Sequence, residues 1–172
     1  WPAAWDWFSQ QDAQLNVSDR PAFLSWWDYG FEAIQAGKHP AVSDNFQNGY
    51  QFAGSFITAG SEEDAISLFI VRILEKTGVS DEIAALLNEN GVNATRLKDI
   101  MNNPSAYIDE VKSNPDVYGR YDSELSAQNA KYAAARVELQ KADMDGLVDI
   151  YSQMRDISGN DIGYFAVDGR LF

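Results

Sequence analysis

The sequence has no cysteine and only one histidine among its 172 residues. Without cysteine the chain forms neither disulfides nor thiolate metal sites, so cysteine usage does not indicate a redox compartment. The single histidine, His39, lies between Lys38 and Pro40, which predicts a solvated loop residue rather than a catalytic or metal-binding one. A glycine-rich phosphate loop is also absent. These absences argue against a self-contained enzyme.

Basic residues and long apolar runs are scarce as well. Thirteen Lys and Arg face 26 Asp and Glu, which gives a net charge of −13 and argues against nucleic acid as a partner. The longest stretch without a charged residue, 45–61, contains Gln, Asn, Gly, Ser and Thr, so it is too polar for a membrane span of about 20 residues. We therefore expect the chain to be soluble, and its abrupt ends suggest a fragment of a longer protein.

What the chain does contain is typical of a globular domain. Apolar residues make up 45% and aromatic residues 13%, and the length suits a single unit. Hydrophobic periodicity predicts helices over most of the chain, including 2–11, 44–59 and a long one over 123–141. Apolar stretches at 22–26 and 162–167 predict short strands able to pair, the second ending in a turn at 168–169. The expected fold is α+β and mostly α-helical, with a helical core and a small number of short strands.

Two acidic clusters invite interpretation as cation sites. Glu62, Glu63 and Asp64 follow Ser61 in capping-box order, so the positive end of the helix dipole explains them better than a metal does. The second cluster consists of Asp143, Asp145 and Asp149. It does not meet the EF-hand pattern, and a solvated helix face is the better account. We therefore predict no metal site in this chain.

The segment SWWDYG at 25–30 places two tryptophans beside a carboxylate. Trp26 and Trp27 would point to opposite faces of an extended strand, so a shared site requires a bend, which Tyr29 and Gly30 permit. An indole N–H only donates a hydrogen bond, an ionised carboxylate only accepts, and a hydroxyl does both. Two Trp and Asp28 therefore satisfy one Ser or Thr hydroxyl. The alternative is two core tryptophans beside a turn or capping residue.

Residues 25–30 are identical to the WWDYG signature, with its usual preceding Ser, of the catalytic subunit of oligosaccharyltransferase, the polytopic membrane enzyme of N-glycosylation. Further segments resemble this family in the same order along the chain. They are the Trp-rich stretch 1–11, the Gly-Lys-His of 37–39, the Asp-Asn-Phe of 44–46, the helix start 61–65, and 161–170, which resembles the segment before the family's second conserved motif. Residues 79–156 resemble the family only as a helical insertion of variable sequence.

The resemblance implies that residues 1–172 form a single C-terminal soluble domain of a larger membrane enzyme, archaeal in style. It implies that Trp26, Trp27 and Asp28 bind the hydroxyl at the +2 position of an Asn-X-Ser/Thr acceptor polypeptide. Tyr29 and Gly30 would shape the turn rather than touch the acceptor.

The rest of the reaction would lie outside this chain. In the family a divalent metal, Mg or Mn, and the lipid-linked oligosaccharide are bound largely by the transmembrane domain, at the extracytoplasmic face of the cell membrane. The second acceptor-binding motif would begin at about Leu171. We therefore expect no catalytic residue in this chain and no glycan transfer by it alone.

A different function remains open at this point. A stand-alone helical module could use the Trp pair to stack on sugar rings or to anchor a protein partner. Such a module would not depend on a Ser or Thr hydroxyl, and its gene would lack upstream membrane spans. Asn16-Val17-Ser18 and Asn93-Ala94-Thr95 are themselves acceptor sequons, which permits glycosylation without showing it.

Overall fold

A computed structural model describes residues 1–121 and 124–167. Contacts between residues divide the chain into two compact units. The length of the chain by itself favours a single unit. The first unit combines Trp1–Ile57 with the C-terminal residues from Gly159 onward, and the second is Thr58–Ser158. The first unit is therefore discontinuous in sequence, and the second is the segment between its two parts.

The first unit consists of three helices and two strands among its described residues. They are α1 (Pro2–Phe8), β1 (Ala22–Leu24), α2 (Gly30–Gln35), α3 (Tyr50–Ile57) and β2 (Ile162–Phe165). The strands pair in parallel, with Ala22 opposite Ile162 and Leu24 opposite Phe165. This pairing confirms the two strands expected from the apolar stretches. The turn predicted at 168–169 lies outside the described residues.

The core of the first unit is aromatic. Its buried members are Trp5, Phe8, Phe23, Tyr29 and Ala33. Trp5 and Phe8 lie one turn apart on α1, so they face the same side, and both rings lie within 5.5 Å of the Phe23 ring on β1. Burial of these rings fastens the N-terminal helix to the sheet.

The helix predicted over 44–59 begins later, at Tyr50. The Asp44 carboxylate accepts hydrogen bonds from the backbone N–H of Phe46 at 2.8 Å and of Asn48 at 3.3 Å. Gln47 and Gly49 then take positive φ angles of 67°, which an α-helix does not allow. Asp44 therefore closes a turn instead of capping a helix. Helix α1 likewise ends at Phe8 rather than at 11.

All regular secondary structure in the described part of the second unit is helical. Its helices are α4 (Glu62–Thr77), α5 (Asp81–Glu89), α6 (Ala94–Asn102), α7 (Ile108–Ser113), α8 (Pro115–Tyr118), α9 (Ala127–Leu139) and α10 (Met144–Ser158), with a 3₁₀ turn at Pro104–Tyr107. The Ser61 hydroxyl accepts the Asp64 N–H at 3.1 Å, as the capping-box pattern predicts. Helix α4 packs against α9 and α10 and is the buried centre of the unit.

The predicted long helix over 123–141 is shorter at both ends and spans Ala127–Leu139. Helix α9 begins at Ala127, where Ser126 accepts the N–H of Asn129 at 3.1 Å. Residues 122–123 lie outside the described part of the chain, so the predicted start at 123 falls there. The mostly helical α+β class with two short strands is confirmed. Across the described ranges, the helices are too short or too polar to cross a membrane.

The prediction that His39 is solvated is wrong. Its side chain is fully buried, and its ring stacks on Phe8 with ring centroids 4.0 Å apart. Its Nδ1 lies 3.0 Å from the Pro21 carbonyl oxygen and its Nε2 lies 3.2 Å from that of Gln11. His39 therefore ties the end of the N-terminal helical segment to the start of β1. These contacts are tertiary, and the local sequence of charged and turn-forming residues gives no sign of them.

Candidate functional site

The SWWDYG segment begins where the two strands of the first unit are fastened together. The buried Ser25 hydroxyl donates a hydrogen bond of 2.6 Å to the Ala166 carbonyl, immediately after β2. The Ala166 N–H in turn donates to the Leu24 carbonyl at 3.0 Å. These two bonds hold the chain rigidly just before Trp26, so the following turn starts from a defined position.

The chain then bends as predicted. A 3₁₀ turn covers Trp27–Tyr29, and the Tyr29 N–H donates to the Trp26 carbonyl at 3.1 Å. The ring centroids of Trp26 and Trp27 lie 6.1 Å apart with an angle of 45° between their planes. The bend therefore brings together two rings that an extended strand would place on opposite faces.

The three residues of the predicted site are accessible to a ligand. Trp26 and Trp27 are half-buried, Trp26 packing in part against the aromatic core, and Asp28 is exposed. No backbone N–H of the described residues donates to the Asp28 carboxylate. Neither indole N–H nor the Asp28 carboxylate is bonded to another side chain or carbonyl in the described chain. The packing of Trp26 against the core agrees in part with the alternative of two core tryptophans, whereas the exposed Asp28 is not bonded as a capping residue would be.

Tyr29 and Gly30 face the interior. Tyr29 is buried, and its ring centroid lies 4.5 Å from that of Trp1. A Cβ atom added to Gly30 would lie 1.8 Å from the Ser43 carbonyl oxygen and 2.7 Å from the Asp44 Cα. Only a residue without a side chain fits against this backbone. The loop that contains Ser43 and Asp44 therefore packs directly behind the turn.

This supporting loop, residues 42–49, is closed by Asp44. Burial by itself would raise the pKa of Asp44, but hydrogen bonds from the Asn48 side chain and from the backbone of Phe46 and Asn48 lower it below its ordinary value. The carboxylate therefore stays ionised and keeps the loop closed at neutral pH. Ser43 also donates from its hydroxyl to the Ser25 carbonyl at 3.5 Å.

Sequence patterns did not indicate Ser25, Ser43 or Gly30 as a connected support. Ser25 and Ala166 are 141 positions apart, and no periodicity links residues at that distance. For Gly30 the residue type alone indicates a structural role, because a glycine is typical of either a turn or a close approach of two backbone segments. Its φ of −63° is one that any residue adopts, so the close approach of the Ser43 backbone is the reason that position 30 requires glycine.

The described residues hold no group of three or more His, Cys, Asp or Glu side chains arranged to bind a metal ion. The acidic cluster of the α4 first turn is used differently. The Asp64 carboxylate accepts the Gly60 N–H at 3.0 Å and the Gln140 side-chain amide at 2.7 Å, and it lies 3.3 Å from Arg136. These bonds explain Asp64 as a structural residue of the second unit.

Two curated archaeal proteins are similar to parts of this chain. Dolichyl-phosphooligosaccharide-protein glycotransferase 1 of Archaeoglobus fulgidus is 34% identical over 88 residues, which cover 48% of this chain and 15% of that protein. Dolichyl-phosphooligosaccharide-protein glycotransferase 2 of the same organism is 40% identical over 73 residues, which cover 40% of this chain and 12% of that protein. No family model and no solved structure matches the chain. The partial matches support a domain related to archaeal oligosaccharide transferases.

Proposed function

We propose that this chain is the acceptor-recognising domain of an oligosaccharyltransferase, a larger membrane enzyme that transfers a lipid-linked oligosaccharide to the asparagine of Asn-X-Ser/Thr. The observation that carries the proposal is the turn at Trp27–Tyr29, which presents two neighbouring indoles and an exposed carboxylate without internal hydrogen-bond partners. The partial similarity to two archaeal glycotransferases supports the same conclusion.

Trp26, Trp27 and Asp28 together match the hydrogen-bonding capacity of one aliphatic hydroxyl. The two indole N–H groups donate to the oxygen lone pairs of an acceptor Ser or Thr, and the Asp28 carboxylate accepts the hydroxyl hydrogen. An acceptor with Ala at this position leaves all three groups unpaired once the peptide covers them. Each unpaired group costs about 1–3 kcal/mol, so the site discriminates by a penalty on the wrong acceptor.

Precise recognition requires that the three groups stay in place without the ligand. The bond from Ser25 to Ala166 fixes the chain before the turn, and the contact of Gly30 with Ser43 fixes it afterwards. Tyr29 anchors the centre of the turn in the aromatic core. The acceptor then binds to a preorganised surface, so little conformational entropy is lost from the turn on binding.

In this proposal the bond-forming chemistry belongs to the rest of the enzyme. The chain's own residues bind and orient the acceptor, and none of them is a catalytic residue. The transmembrane domain of the parent, at the extracytoplasmic face, would hold the lipid-linked oligosaccharide and a divalent metal, Mg or Mn. The isolated chain would transfer no glycan. The second acceptor-binding motif, expected from about Leu171, lies outside the described residues.

The test replaces Asp28 by Ala in the full-length enzyme and measures transfer to peptides with Ser, Thr or Ala at the +2 position. We expect a loss of about tenfold or more with the Ser and Thr peptides, since one charge-assisted hydrogen bond is removed. The Ala peptide, already poor, should change little. Asp6→Ala is the matched control, because Asp6 is an exposed aspartate of α1 in the same unit.

Equal losses with all three peptides would contradict the proposed role of Asp28. No loss with any peptide, together with binding of sugars or of a protein that depends on Trp26 and Trp27, would favour the stand-alone binding module. The coding sequence upstream of Trp1 gives an independent check. Many apolar spans of about 20 residues there support the membrane enzyme, and a start codon directly before Trp1 contradicts it.

A further inference from the structure

The second unit contains a cavity of about 420 Å³. It lies between the C-terminal ends of α4 and α6 and the first turns of α9. Leu74, Val79 and Met101 form its apolar lining, and Lys98, Asn102 and Lys131 are among its polar residues. Small-molecule sites typically have volumes of about 300–1,000 Å³ and combine apolar walls with a few polar groups. The volume of this cavity lies in that range, and its lining is more polar than that of a typical site.

Glu75 is the one carboxylate among the described lining residues of this cavity. Its carboxylate forms hydrogen bonds and ion pairs with neighbouring side chains of the same unit. Its Oε1 lies 2.5 Å from Lys131 Nζ and accepts a hydrogen bond of 2.7 Å from the Gln128 amide, and its Oε2 accepts one of 2.7 Å from Arg72. Burial would raise the pKa of Glu75, but these hydrogen bonds and the two positive charges lower it. Glu75 is therefore ionised, and both its charge and its hydrogen-bonding capacity are satisfied by Lys131, Arg72 and Gln128.

Lys98, Asn102 and Lys131 bring further hydrogen-bond donors to the cavity. Lys98 is exposed, and neither its ammonium nor the Asn102 side chain is bonded to another residue in the described ranges. Lys131 is 8% exposed and has three N–H groups, of which the contact with Glu75 uses one. Lys98 and Lys131 carry two positive charges and Glu75 one negative charge, so the lining has a net charge of 2 − 1 = +1, although the whole chain has a net charge of −13.

We propose that this cavity binds a small organic anion, whose carboxylate or phosphate group is held by Lys98 and Lys131 and whose apolar part packs on the half-buried Met101. Lys131 is largely buried, so water screens its charge less than it would screen a lysine on an open surface, and the exposed Lys98 adds a second positive charge beside it. The proposal is independent of acceptor recognition at the Trp26-Trp27-Asp28 turn.

The test uses the full chain with ¹³C-labelled methionine methyl groups and three ring-containing probes. Phenyl phosphate and phenylacetate carry the two kinds of anion, and benzyl alcohol has the ring without the charge. The chain has three methionines, and Met101 lines the cavity while Met144 and Met154 lie elsewhere and serve as internal references. We expect one or both anions to shift the Met101 signal selectively, with benzyl alcohol binding at least about tenfold more weakly.

Charge reversal separates the cavity from general attraction to basic residues. Lys98→Glu should weaken binding of the anions at least about fivefold, because an attraction is replaced by a repulsion. Lys112→Glu, at an exposed position of α7 outside the cavity, should leave the affinity unchanged. Circular dichroism of both variants confirms that the fold is retained. The stronger of the two anions identifies the preferred charged group.

Three results would overturn the proposal. The first is the absence of any shift of the Met101 signal with both anions, and the second is an equal affinity for benzyl alcohol. The third is an unchanged affinity in Lys98→Glu, or an equal loss in the Lys112→Glu control. A negative result here leaves the acceptor-transfer test of Asp28 unaffected, because the two experiments use different residues and different ligands.

Discussion

Replacement of Gly30 by Ala tests whether the loop behind the turn holds the Trp26-Trp27-Asp28 site in place. The new Cβ would lie 1.8 Å from the Ser43 carbonyl oxygen, whereas real contacts of this kind are not closer than 3.0 Å. The backbone of the loop must therefore retreat by at least ~1.2 Å. Because the neighbour is backbone and not a flexible side chain, rotation about a side-chain bond cannot relieve the contact.

The expected cost for Gly30→Ala is about 2–3 kcal/mol, the upper part of the range of about 1–3 kcal/mol for overpacking that forces a backbone shift. Part of this cost is the loss of the hydrogen bond from the Ser43 hydroxyl to the Ser25 carbonyl, which the displaced loop could no longer form. For a unit of this size the melting temperature would fall by roughly 10–20 °C. In the membrane enzyme that we propose as the parent of this chain, a misplaced turn should raise the KM for the acceptor peptide.

Tryptophan fluorescence is a selective assay for this change. All five tryptophans, at positions 1, 5, 7, 26 and 27, lie in the first unit, so their emission reports its unfolding in guanidinium without a contribution from the second unit. Gly54→Ala is the matched control, since a Cβ at this position of α3 meets no atom within 4 Å. It should stabilise by about 0.5–1 kcal/mol through helix propensity. Equal stability of the two variants would refute the argument that Gly30 is required by close packing.

Three further predictions concern stability. Ser25→Ala should destabilise the first unit by about 1–1.5 kcal/mol in the fluorescence assay, because the Ala166 carbonyl loses its donor; an unchanged midpoint would contradict this. His39→Ala should cost about 2–4 kcal/mol because it empties a fully buried site, while the exposed control Lys38→Ala should stay within about 0.5 kcal/mol. The pKa of Glu75 is lower in the folded state than its ordinary 4.5, so its contribution to stability is complete above pH 4.5 and is lost as the pH falls through the lowered pKa. Acid unfolding followed by circular dichroism should show this loss, and Glu75→Gln should abolish it; identical pH profiles would argue against it.

Local sequence signals predicted several elements correctly. Ser61 and the acidic residues after it indicated the start of α4, because a capping bond spans only three positions and depends on no distant partner. The apolar stretches at 22–26 and 162–167 indicated β1 and β2, which are slightly shorter in the structure. The bend after Trp26 followed from the residue types of the turn itself.

Other features depended on contacts between distant segments. The pattern around Phe46 favours a helix, but the hydrogen bonds of Asp44 make a turn there, and the loop then packs against Gly30. His39 has polar and turn-forming neighbours in sequence, yet it is buried against Phe8 and two carbonyl groups. Neither outcome follows from local propensity, because tertiary contacts outweigh it.

By itself, the sequence determined which chemical groups are available: two indole donors and one carboxylate acceptor, adjacent in the chain and matched to a hydroxyl. Only the tertiary structure decided that the two indole rings lie side by side and half-buried and that the carboxylate after them is exposed. Adjacent residues diverge in a strand and converge in a tight turn, and this turn forms where it does because Ser25 is bound to Ala166 on one side and Gly30 is packed against Ser43 on the other.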